Sequence, residues 1–182
     1  MTSTDTESAM KPLWEIRKPL HDGLRLLPTA ARAVDIGQGW QEALDAALDF
    51  TENSFIPACT AENFTLLGAV NGIFGSPEAA NIAMHQHDSM KRMAEDLAKI
   101  AEAAEEANSV DEFRAPLLML LYGLYGAGRV HVDSEETAYF GPIEDHLSES
   151  QIRVLTDNLG RITEGQTPAR LAAADRGHSE RQ

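Results

Sequence analysis

Arg129-Val-His-Val-Asp-Ser-Glu-Glu-Thr-Ala-Tyr-Phe-Gly-Pro142 is the stretch on which the reading of this chain turns. It carries His131 four residues before Glu135, late in a long run of helix-forming residues. On a helix that spacing stacks an imidazole over a carboxylate on one face. Leu117, Leu121, Leu124 and Gly128 upstream and Ala138 downstream fall on the same face. A histidine bonded to its own i+4 carboxylate on a solvated face fits those leucines less well than an inward-facing pair does. Inward imidazole and carboxylate groups need partners, and a metal ion satisfies both. Glu136, five residues from His131, points off this face.

Working outward, apolar residues recur at three- and four-residue steps and alternating strand patterns are nearly absent. A first helix is expected over about Pro12 to Val34, kinked or cut by Pro28. A second runs from about Trp40 to Phe74 with a kink at Pro57. Gly75-Ser76-Pro77 reads as a stop and a new start, opening a third helix from about Pro77 to Ala107. Ser109 and Glu112 have the spacing of a capping box, opening a fourth from about Val110 to Phe140 that Gly141-Pro142 ends. A shorter helix follows from Glu149 to Thr163. Residues 1–10 read as a flexible arm, 11–163 as one helical domain and 164–182 as a flexible tail. Four long helices with short connectors predict an all-α, antiparallel up-down four-helix bundle with a short extra C-terminal helix.

The informative residues are those titratable groups in phase with the apolar stripes. In the third helix Ala83, His87, Met90, Ala94, Leu97, Ala101 and Ala104 share a face, so His87 points inward and His85 outward. Alone, such a histidine is more often a hydrogen-bonded core residue than a ligand. In the second helix Glu62 interrupts the stripe Leu44, Leu48, Thr51, Phe55, Ala58, Leu66, Ala69 and Ile73. A carboxylate there needs a salt bridge, an elevated pKa or a cation. Cys59, three residues earlier, is either a soft ligand or a small buried thiol. In the first helix, with Leu13, Leu20, Leu24, Leu27 and Ala31 inward, His21 flanks the stripe as an inward ligand or a partly exposed side chain. Tyr139 is an interface tyrosine or an outer partner of Glu135, and His146 and His178 are expected in solvent. His21, Glu62, His87, His131 and Glu135 together point to a metal site of mixed nitrogen and oxygen donors.

The totals narrow the classes. Lys plus Arg number 15 and Asp plus Glu 29 in 182 residues, for a formal charge of −14. Such acidity argues against nucleic acid and anionic membrane as partners. Cys59 is the single cysteine, so no intrachain disulfide forms and a cytoplasmic, reducing setting is expected. The most apolar run, 115–128, is short and broken by Gly and Pro, so no membrane span is expected. No His-Glu-x-x-His run and no Cys/His zinc spacing supports a zinc hydrolase. Gly123, Gly126 and Gly128 sit in a helical run, where they allow close packing.

From Trp14 to Ser148 the order of these pieces resembles the hemerythrin-like, or HHE cation-binding, family. The pieces are Ile16-Arg-Lys-Pro-Leu-His-Asp-Gly-Leu-Arg25, Phe55-Ile-Pro-Ala-Cys-Thr-Ala-Glu62, His87-Asp-Ser-Met-Lys-Arg92 and His131-Val-Asp-Ser-Glu-Glu-Thr-Ala-Tyr-Phe140 before Pro142. The resemblance implies a four-helix bundle around a non-heme di-iron centre that binds oxygen, acts on peroxide or nitric oxide, or senses iron. The family's ligands fall on His21, Glu62, His87, His131 and either Glu135 or Glu136; helix phase favours Glu135. Ala58 and Ala83 stand where members carry further histidines, so the implied site is a single iron or a reduced-ligand pair. The expected function is the handling or sensing of oxygen, peroxide or iron, with a small ligand such as oxygen or peroxide as partner. The alternative is a metal-free bundle acting as an interaction or structural module.

Overall fold

In the computed structural model, which describes residues 9–163, all regular structure is helical and no strand occurs among the described residues. The elements are α1 (Lys11–Leu24), α2 (Leu26–Ile36), α3 (Trp40–Phe50), a π-helical segment (Thr51–Phe55), α4 (Ile56–Phe64), α5 (Leu66–Phe74), α6 (Asn81–Glu106), α7 (Arg114–His146) and α8 (Glu149–Thr163). They follow one another in five helical runs: α1–α2, α3–α5, α6, α7 and α8. Apart from Ala9 and Met10, the arm at 1–10 lies outside the described residues, as does the tail at 164–182 with His178. Among the described residues no helix is long and apolar enough to cross a membrane.

The breaks have local causes. Pro28 has no N–H to offer Leu24, and the first run divides at Arg25. The expected single helix from Trp40 to Phe74 is interrupted twice. Pro57 has no N–H to offer Asn53, and the turn before it widens to π geometry. Thr65 leaves helical geometry at φ −125° and ψ −78° and separates α4 from α5. The widened turn also shifts the stripe: Ala47 and Phe50 are buried, whereas Leu48, Ala69 and Ile73 are half-buried.

Two starts fall later than the sequence suggests. The Ser76 hydroxyl accepts from Glu78 N in a turn, and α6 begins only at Asn81. The Ser109 hydroxyl likewise accepts from Asp111 N, and α7 begins at Arg114. Nor does Gly141-Pro142 end α7, which runs on to His146. One hydrogen bond is lost at Pro142, in the final turns, while the next residue, Ile143, is fully buried.

Helix α7 packs on α2, α5, α6 and α1, while α8 lies against α4 and α1. The apolar interior falls into two clusters. One gathers Leu24, Leu27, Leu44, Phe55, Met90, Leu97, Leu121 and Leu124. The other gathers Leu13, Leu66, Leu67, Val70, Ala83, Phe140, Ile143 and Leu159. Each helix that crosses from one cluster to the other carries a polar residue at the crossing. These are Arg17 between Leu13 and Leu20, Glu62 between Cys59 and Leu66, His87 between Ala83 and Met90, and His131 with Glu135 between Leu124 and Phe140.

Candidate metal centre

Those five residues form one buried polar layer, each no more than 3% exposed. His87 and His131 face each other edge to face, with Nε2 atoms 2.9 Å apart. Glu62 Oε2 lies 3.2 Å from His87 Nε2 and 3.6 Å from His131 Nε2. Glu135 stands 3.7 Å from His131 and 3.8 Å from His87. Cys59, one turn before Glu62, joins the cluster: its sulfur and the donor atoms of Glu62, His87 and His131 all lie within 4.8 Å of one another.

The outer nitrogens of both rings are held by amides. His87 Nδ1 lies 2.7 Å from Asn63 Oδ1, and His131 Nδ1 lies 3.1 Å from Gln86 Oε1. An amide oxygen accepts, so each Nδ1 carries the ring proton and each Nε2 presents a lone pair. In that tautomer two lone pairs and a carboxylate oxygen converge, and either a shared proton or a metal ion would satisfy them. That is the donor chemistry of a metal site whose imidazoles are oriented by outer hydrogen bonds. Burial also pushes the His131 imidazole below its ordinary pKa, against the pull of Glu62, which keeps it neutral and able to ligate.

Sequence phase passed over Arg17, which organises the other half of the layer. Its guanidinium donates to Glu62 Oε1 and, at 3.0 Å, to Glu135 Oε2. Its Nε lies 3.5 Å from Glu136 Oε1, and its carbon lies 5.5 Å from the centre of the Phe140 ring. The signal was present: Leu13, Leu20 and Leu24 leave a seven-residue gap that Arg17 fills in register, at Leu13+4 and Leu20−3.

The two carboxylates beside Arg17 are pushed apart in pKa. Burial raises Glu62, but the Arg17 charge together with hydrogen bonding to His131 and His87 outweighs it and holds that carboxyl well below its usual range. Burial, and then the negative charge of Glu62, push Glu135 up to about 8 against the opposing pull of Arg17. The pair thus carries a single negative charge at neutral pH, balanced by Arg17. Burial, with Glu62 and Glu135 adding to it, raises the Cys59 thiol well above its ordinary value.

The remaining expected site residues fall at the edge. His21 does not reach the two imidazoles; it is half-buried and its Nε2 lies 2.8 Å from Glu136 Oε1. His21, Asp133 and Glu136 form a second, more open group of donor atoms. Ala138 and His85 are exposed, as is His146, whose Nδ1 meets the Pro142 carbonyl at 2.9 Å. Tyr139 packs on the second apolar cluster, and burial with the nearby Glu135 raises its phenol.

Ala58 lines a cavity of about 170 Å³ together with Arg17, Pro19, Ser54, Glu62 and Leu159. Space a longer side chain would fill beside Glu62 is thus open to a small molecule. No family model, curated protein or solved structure matches the chain.

Proposed function

We propose that this chain is a hemerythrin-like, antiparallel four-helix bundle that binds one non-heme iron ion and handles or senses oxygen or peroxide there. The single observation that carries the reading is the convergence of His87 Nε2, His131 Nε2 and Glu62 Oε2, with both imidazoles turned by outer amides to present lone pairs. Two histidines and one carboxylate with positions left open are a donor set suited to non-heme ferrous iron, which supplies binding and activation of a small oxygen species when bound. The bundle would be formed by the runs α1–α2, α3–α5, α6 and α7, with α8 laid across α4 and α1. A cytoplasmic setting suits ferrous iron and a reduced Cys59.

The chain's own groups have distinct tasks in this reading. Asn63 and Gln86 fix the ring orientations. Arg17 holds one oxygen of Glu62 and leaves the other to face the imidazoles. Glu135 turns Oε1, the oxygen without a hydrogen-bond partner, toward His87, where it can exchange a proton with a ligand held beside the imidazoles. The cavity at Ala58 reaches Glu62 and Arg17 from the α1–α8 side.

The metal-free module has its own supporting observation. Arg17 already balances the buried carboxylates, and a proton shared between His87 and Glu62 would quiet the converging lone pairs. Anaerobic reconstitution of the full chain with ferrous iron separates the two. About one iron per chain, lost in His131→Ala, is expected for a site held by several side chains. Wild-type uptake below about 0.2 per chain, unchanged by His131→Ala, would establish the module instead.

A further inference from the structure

We propose that Arg17 is a tethered cation seated in a second cation position made by Glu62, Glu135 and Glu136, and that it fixes the capacity of the centre at one metal ion. The inference rests on the reading of His87, His131 and Glu62 as a metal site. It concerns the neighbouring space, and its test separates the two.

The guanidinium is surrounded by three carboxylates from two helices, contacting Glu62 Oε1, Glu135 Oε2 at 3.0 Å and Glu136 Oε1 at 3.5 Å. Behind Glu136 stands His21, one helical turn beyond Arg17, with Nε2 at 2.8 Å. Three carboxylates backed by one imidazole are the surroundings of a divalent cation. An arginine placed to satisfy a carboxylate normally meets it with two parallel bonds. Arg17 instead spreads its nitrogens over three partners, leaving its own Nε and Glu135 Oε1 buried without a hydrogen bond. An arginine fills this cradle imperfectly: its Nε stands 3.5 Å from Glu136 without a hydrogen bond.

Glu62 joins the two positions. One oxygen faces Arg17 and the other faces His87 and His131. It therefore stands between two positive charges, as a bridging carboxylate does between two ions. Because Arg17 is covalently part of α1, its charge cannot dissociate, and a second ion meets it by like-charge repulsion.

The test uses the full chain with Arg17→Ala, Arg17→Lys and wild type, titrated anaerobically with ferrous iron and separately with cobalt(II). Bound metal is counted by mass spectrometry and the cobalt sites are read by visible absorption. About one ion in wild type and Arg17→Lys, rising to about two in Arg17→Ala with a second cobalt band, is expected from the donor sets described. Two ions in wild type, or one in Arg17→Ala, overturns the inference and leaves the single-metal reading standing. No ion in wild type with uptake in Arg17→Ala overturns that reading and supports the cation role of Arg17. No ion in either overturns both. If Arg17→Ala folds only when metal is present, by far-ultraviolet circular dichroism, the ion has replaced the guanidinium as proposed. If it fails to fold even then, the proposal is wrong.

Discussion

Asn63 and Gln86 are modest residues with a large say in what the centre is. Each meets the outer nitrogen of an imidazole with its amide group, and where the amide oxygen accepts there the inner nitrogen is left as an acceptor. Replacing Asn63 by Leu removes the acceptor for His87 Nδ1 and frees that ring to place its proton on Nε2. Metal affinity should fall ~10–100-fold, the usual cost of losing an outer partner of a ligand. A cobalt(II) titration reads this directly, and an unchanged affinity would remove the amides from the account. At this scale the sequence was partly legible. His87, His131, Glu62 and Glu135 announced themselves as polar residues in apolar stripes, and the structure buries all four together. Arg17 was passed over because a long charged side chain in an apolar stripe ordinarily extends to solvent. Its three acidic partners lie on α4 and α7, which one-dimensional phase cannot bring together.

At the scale of the element, the second helical run departs most from expectation. Its two interruptions follow from backbone hydrogen-bond loss at Pro57 and from Thr65, whose consequences depend on what the chain packs against. The stripe of α6 was legible residue for residue because no proline or widened turn interrupts it. Pro142 misled in the opposite sense: the buried Ile143 holds the final turns of α7 in place. Among the glycines of α7, Gly128 does sit in tight contact, a Cβ there lying 2.7 Å from Leu24 and 3.0 Å from Phe55, whereas Gly126 faces open space. The closest approach is in α1, where a Cβ on Gly23 would run into the Phe50 ring. Gly23→Ala should therefore destabilise by ~1–3 kcal/mol through overpacking, outweighing the ~1 kcal/mol that alanine gains in a helix interior. Urea unfolding checks this, and a stabilised variant would show that α1 can shift away from Phe50.

The described residues form two apolar clusters with a charged layer between them, and the stability of the chain should carry the signature of that layer. Glu135 titrates at about 8 in the folded chain against an ordinary 4.5. Between those values the folded state holds a proton that the unfolded state has released, so stability falls as pH rises through this window. Glu62 has the opposite sign. Its folded pKa is depressed, so its contribution is present above 4.5 and is lost as pH falls below it. Metal-free protein in chelator should be most stable near pH ~5 and less stable at pH ~8. Glu135→Gln should flatten the decline, as guanidinium unfolding at the two pH values would show; a wild-type chain equally stable at both would refute it. The helical class was readable at this scale because periodicity is a local signal. The layering was not, because it depends on which helix crosses which at the same depth.

The cavity beside Ala58 also bears on electron supply. It has room for a few water molecules and none for a flavin, a nicotinamide or a quinone beside Glu62. If the centre holds a redox metal as proposed, a donor of that size would stay outside and pass its electrons by tunnelling through the packed helical wall.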